Sequence, residues 1–109
     1  MDNKKYRLKV WFDGHVQGVG FRYKATEIAK GYEVSGSVEN LDDGRVLLIA
    51  VGEKSEVDEY ANEVSRIMAD FIKTRDDRQD YVDSSPKGFS MIYWYDPYYW
   101  NQKSQKILP

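Results

Sequence analysis

Chemistry in this chain is concentrated in one short stretch and one later side chain. Gly14-His15-Val16-Gln17-Gly18-Val19-Gly20-Phe21-Arg22 puts three glycines within seven residues and an arginine directly after them. Glycines in such a loop let the backbone aim several N–H groups at one point. A helix N-terminus following the loop adds unpaired N–H groups and partial positive charge, and the two together suit a phosphate-sized anion. Arg22 would sit in the first turn of that helix, the wrong end of the dipole for a cation. An anion held between the loop and the guanidinium reverses that sign, and guanidinium binds phosphate oxygens in bidentate fashion. The plainer reading, a tight connection with an arginine reaching solvent, gives way because a second motif follows.

That motif is Gly36-Ser37-Val38-Glu39-Asn40-Leu41-Asp42-Asp43-Gly44-Arg45-Val46. Asn40 closes a strand just before a turn, where asparagine ordinarily caps backbone groups. Its amide can also both donate to and accept from a water molecule.

The elements that must position these groups follow from hydrophobic periodicity. Tyr6, Leu8, Val10 and Phe12 alternate with Arg7, Lys9, Trp11 and Asp13, which predicts a strand with one buried face. Phe21, Ala25, Ile28, Ala29 and Tyr32 recur at helical spacing, predicting a helix over 21–31 ended by Gly31. Val34 to Val38 reads as a second strand and Asp43-Gly44 as a hairpin turn. Arg45 to Val51 reads as a third strand near the sheet centre. Ser55 with Asp58 resembles a helix-capping arrangement, and an unbroken apolar stripe runs from Val57 to Ile72. Residues 73–80 read as a charged connection, Gln79 to Ser84 as a short strand, and Phe89 to Tyr95 as the final strand. The expected architecture is α+β: a ferredoxin-like sandwich, βαββαβ plus a fifth strand, its antiparallel sheet covered on one face by two helices. In that arrangement the first strand pairs with the third. The hairpin then returns toward the glycine loop, and Asn40 faces the anion socket.

Bulk properties narrow the function further. The chain has 109 residues, enough for one core, and a net charge of −2. That balance argues against bulk nucleic-acid binding. With no cysteine, disulfides, thiolate metal sites and cysteine-nucleophile chemistry are excluded, and the single histidine cannot build a histidine-rich metal cluster. No apolar run approaches membrane-spanning length and Met1 to Lys5 has no signal-peptide core, so a cytoplasmic protein without a membrane partner is the expectation.

With both motifs in view, the sequence resembles the acylphosphatase family. The pattern G-x-V-Q-G-V-x-F-R is met at every fixed position from Gly14 to Arg22, and Gly36, Asn40, Gly44, Val46 and Gly52 fit the second signature. The resemblance covers residues 6 to about 95. It implies an enzyme that hydrolyses the carboxyl-phosphate bond of acyl phosphates without a cofactor. Arg22 would hold the phosphate and Asn40 would position the attacking water, as the catalytic pair. His15, Val16, Gln17, Gly18, Val19 and Gly20 would cradle the phosphoryl oxygens beside Arg22. The ligand would be a small-molecule acyl phosphate or inorganic phosphate.

Several positions depart from the family pattern. Ser37 stands where a bulky residue is usual, and Glu39 where a basic or neutral one is usual, although alternation turns Glu39 and Asn40 to opposite faces. Residues 73–80 lack the usual glycine and proline. A C-terminal extension, 96–109, follows the expected domain, 1–95. Six of the eight residues from Tyr93 to Trp100 are aromatic, which suits a cover for the open sheet face or a weak homodimer contact; a monomer is the other expectation. These departures keep open a non-catalytic anion- or acyl-phosphate-binding module. An RNA-binding module ranks below both, since the chain is acidic and lacks the basic-aromatic strand motif.

Overall fold

The alternating segment near the N-terminus becomes the strand on which the molecule is organised. In the computed structural model, which describes residues 4–92, β1 (Lys5–Gly14) buries Tyr6, Leu8, Val10 and Phe12 and turns Arg7, Lys9 and Trp11 the other way. The remaining elements are α1 (Phe21–Ala29), β2 (Val34–Asn40), β3 (Val46–Gly52), α2 (Lys54–Ile67), a single 3-10 turn (Ala69–Phe71), β4 (Ile72–Val82) and β5 (Phe89–Ile92). The sheet order is β4-β1-β3-β2-β5. β1 lies antiparallel between β3 and β4, and β2 antiparallel to β3.

The fold class expected from the sequence is present, with one refinement. β5 lies parallel to β2, Gly36 beside Phe89 and Val38 beside Met91, so the five-stranded sheet is mixed and only its first four strands are antiparallel. The core fills the space between one sheet face and both helices. Phe21, Ala25 and Ala29 of α1 and Val57, Tyr60, Ala61 and Val64 of α2 pack on Leu8, Val10, Phe12, Val38, Val46 and Leu48. Phe12 and Phe21 meet at 5.0 Å between ring centroids, joining β1 to the start of α1. The buried Tyr60 hydroxyl donates to the Ala25 carbonyl at 2.7 Å. That bond ties one helix to the other, with a net contribution of about 1 kcal/mol.

Four local expectations are corrected. Residues 73–80 are strand: they belong to β4, paired with β1 from Lys5↔Val82 to Gly14↔Ile72. No residue of β4 is fully buried, because it is a sheet edge, and its charges stand where apolar alternation would have marked a strand. The segment Gln79 to Ser84 is the end of this strand and the turn after it. The apolar stripe to Ile72 is not one helix. α2 stops at Ile67, yet Met68, Phe71 and Ile72 still pack on the core through the 3-10 turn and the start of β4. Finally, the N-cap of α2 is Glu53, without a side-chain capping bond, and Ser55 lies inside the helix. Asp58 instead pairs with Lys54 at 2.6 Å and lies 3.1 Å from the Tyr6 hydroxyl.

The hairpin turn is as expected: Gly44 has φ +97° and donates to Leu41 O at 3.1 Å, while Leu41 donates to Arg45 O at 2.8 Å. Strand β5 begins at Phe89 as predicted. Its expected continuation to Tyr95 and the aromatic extension lie outside the described residues, as does the dimer contact assigned to that extension. Among the described residues, no helix is long and apolar enough to cross a membrane.

Candidate active site

The loop between β1 and α1 is shaped by two left-handed glycines. Gly18 has φ +80° and Gly20 φ +79°, a region in which an L side chain is strained. A Cβ at either would meet nothing within 4 Å, so backbone conformation rather than space calls for glycine there. Gly20 is also the N-cap of α1, so no side-chain acceptor comes from the cap, and no acidic residue stands in the first turn. The positive end of α1 therefore meets the loop without a carboxylate between them.

Opposite the loop stands the β2–β3 hairpin. Register fixes its approach: β1 pairs with β3 up to Phe12↔Val46, and Val46 pairs back to Asn40. The last residues of β1 and β2 are thus brought to the same end of the sheet. Gln17 closes the gap. Its amide nitrogen donates to Leu41 O at 2.8 Å and to Arg45 O at 3.0 Å.

Between these parts lies a cavity of about 170 Å³, lined by Val16, Gly18, Gly20, Phe21, Arg22, Tyr23, Asn40 and Met91. Arg22 and Asn40 are both half-buried there. Val16 and Phe21 are core residues and give the cavity an apolar floor. The Arg22 guanidinium donates from Nη1 to the Ile92 carbonyl at 2.6 Å, so the last described strand helps to set its direction. Thr26 Oγ1 donates to the Arg22 carbonyl at 2.8 Å, one turn along α1.

The residues singled out in the sequence divide accordingly. Val16, Gly18, Gly20, Arg22 and Asn40 line the cavity. His15 does not: its backbone N–H donates to Phe71 O at 2.9 Å, and it borders a separate recess with Asp13, Asp70 and Lys73. That N–H is committed to the 3-10 turn before β4, which takes His15 out of the expected cradle. Gln17 points its amide at the hairpin rather than into the cavity, and Val19 packs on the core. Tyr23 and Met91 line the cavity without having been foreseen. Tyr23 could have been found as the neighbour of Arg22, whereas Met91 arrives through a strand pairing that no local pattern announces.

Neither departure in β2 blocks the site. Glu39 pairs with Leu47, and Ser37 with Ile49, on the face turned away from the helices, while Val38 is wholly buried on the helix side. Four aspartates of β4 and the following turn each meet a cation: Asp76 with Arg78, Asp77 with Arg75, Asp80 with Arg7 and Asp83 with Lys4.

Comparison with known proteins decides the family. The acylphosphatase family profile matches residues 8–89, three quarters of the chain. The chain belongs to the acylphosphatase family. Its acylphosphatase relatives include the one from Oceanobacillus iheyensis, 44% identical over 69 residues, which are 63% of this chain and 76% of that protein. The Archaeoglobus fulgidus acylphosphatase is also 44% identical, over 57 residues, or 52% of this chain and 64% of that protein. The aligned part thus falls just short of two thirds of the latter. Among solved structures, the Bacillus subtilis acylphosphatase superposes with a TM-score of 0.63 at 29% identity, covering 81% of this chain and 99% of that one.

Proposed function

We propose that this acylphosphatase-family chain hydrolyses the carboxyl-phosphate bond of acyl phosphates in the cavity between the glycine loop and the hairpin. The observation that carries the reading is that Arg22 and Asn40, from different elements, line one small cavity at the start of α1. Arg22 takes two oxygens of the phosphoryl group, and the backbone N–H groups of Val16 to Gly20, with the first turn of α1, take charge from the rest. The Asn40 amide holds a water molecule in line with the phosphorus. As the water oxygen bonds to phosphorus, the bond from phosphorus to the acyl oxygen breaks and its electron pair leaves on the carboxylate. A phosphoryl oxygen accepts the water's proton. The products are carboxylate and inorganic phosphate. A carboxylate is a good leaving group, so positioning and charge stabilisation are sufficient and no protein nucleophile is needed.

The test is hydrolysis of benzoyl phosphate by the wild-type chain beside Arg22→Ala and Asn40→Ala. Each substitution is expected to lower kcat by about 100- to 1000-fold, the scale of a lost transition-state donor. Unchanged turnover in Arg22→Ala would overturn the mechanism. Phosphate binding by a folded wild-type chain without turnover would replace it with the non-catalytic binding module.

A further inference from the structure

An acyl phosphate has two unlike ends, and the cavity has two unlike parts. The polar part is Arg22, Asn40 and the loop backbone at Gly18 and Gly20. Among the described residues, the rest of the lining is Val16, Phe21, Tyr23 and Met91. At about 170 Å³ the cavity is smaller than the ~300 Å³ or more that encloses drug-sized ligands. A phosphoryl group seated against Arg22 therefore leaves the substituent on the acyl carbon to pass out across the rim.

Among the described lining residues, exposed Tyr23 and half-buried Met91 are the apolar side chains that reach solvent. Tyr23 follows Arg22 in the first turn of α1 and is 60% exposed, one of the large apolar side chains the described residues leave in solvent. Met91 comes from β5. It is paired beside Val38, two residues before Asn40 on the neighbouring strand, and packs partly on the core. An exposed tyrosine ring offers a flat apolar face to a second ring. Methionine adapts its unbranched chain to whatever lies on it and makes favourable sulfur–aromatic contacts. Among the described residues Arg22 is the one cationic side chain in the lining, and the phosphoryl group would occupy it.

We infer that Tyr23 and Met91 receive the acyl substituent, and that the site favours acyl phosphates with an apolar, above all aromatic, substituent over those with a second anionic group. The inference rests on the reading of the cavity as an acyl-phosphate site. In the productive complex the ring of an aroyl phosphate lies between the Tyr23 face and the Met91 thioether, outside the anion socket.

The test compares kcat/KM for benzoyl phosphate and acetyl phosphate in the wild-type chain, Tyr23→Ala, Tyr23→Phe and Met91→Ala, with inhibition by inorganic phosphate measured in each. The ratio of benzoyl to acetyl phosphate kcat/KM is expected to fall about fivefold in Tyr23→Ala and Met91→Ala, a modest loss for an apolar contact at an open rim. Tyr23→Phe should keep the wild-type ratio. Because Tyr23 is exposed, its variants remain folded even if Met91→Ala loosens β5. Inhibition by inorganic phosphate, which has no acyl substituent, should stay within about twofold of wild type. An unchanged ratio in Tyr23→Ala, or a fall in both substrates together with weaker phosphate inhibition, would overturn the inference while leaving the hydrolase reading in place. Failure of the wild-type chain to hydrolyse either substrate would overturn both.

Discussion

Gln17 makes the least expected contribution at the residue scale. Its place in the glycine loop suggested a role around the phosphate, yet its amide spans two carbonyls of the hairpin that carries Asn40. On the proposed mechanism it would be a positioning residue: its two hydrogen bonds join the loop that would bind phosphate to the hairpin that carries the strand end that would hold water. Gln17→Ala removes two hydrogen bonds and should cost about 2 kcal/mol of stability. Its sharper effect is expected on kcat, about tenfold or more, since small misplacements at a reacting centre are expensive. Inorganic phosphate inhibition should change far less. Equal changes in the two would show that Gln17 acts only through the loop. That Arg22 and Asn40 would meet at one cavity was legible in the sequence because residue type and local setting pointed the same way: a guanidinium at a helix start, an amide at a strand end. Tyr23 and Met91 were not, since an aromatic on a helix and a methionine in a short strand have no fixed meaning until their neighbours are known.

At the scale of elements, β4 separates what the sequence states from what it conceals. β1 and β3 are legible because burial on one face imposes alternation or a continuous apolar run. β4 meets no such demand. Among the described residues it has one neighbouring strand, and is held by the backbone ladder to β1 with ion pairs added at the surface: Arg7 Nε donates to Asp80 Oδ1 at 2.8 Å across the β1–β4 pair. That hydrogen bond holds the Asp80 carboxyl below its ordinary 3.8. A carboxyl depressed in the folded state stabilises the fold above its unfolded pKa and loses that contribution as pH falls toward the folded value. Asp80→Asn is therefore expected to lower Tm slightly at neutral pH, with the gap closing as the solution is acidified through and below the ordinary carboxylate range. Thermal melts of both chains over that range check it, and a gap that widened on acidification would contradict it. The end of α2 was obscured for a different reason. Met68, Phe71 and Ile72 satisfy the core as well from a 3-10 turn and a strand as from another turn of helix, so the apolar stripe carries past the point where the helix stops.

For the molecule as a whole, the cavity depends on pairings between distant parts of the chain. Arg22 follows β1, Asn40 ends β2, and β3 lies between those two strands in the sheet. Arg22 is also held by a carbonyl from β5. No single βα unit contains the site. Unfolding in urea should consequently shift turnover, far-UV ellipticity and tryptophan fluorescence along one curve, as cooperative small domains do. Turnover that outlasted ellipticity would mean a smaller unit suffices. The same architecture has a consequence during synthesis. Of the five described strands β1 is the first to leave the ribosome, and its partners end only at residues 52 and 82. Until residue 52 a segment alternating Tyr6, Leu8, Val10 and Phe12 with Arg7, Lys9 and Trp11 has both edges unpaired, and until residue 82 one edge, the condition under which strands of neighbouring nascent chains find one another. The charges at Arg7, Lys9 and Asp13 are the protection it carries through that interval.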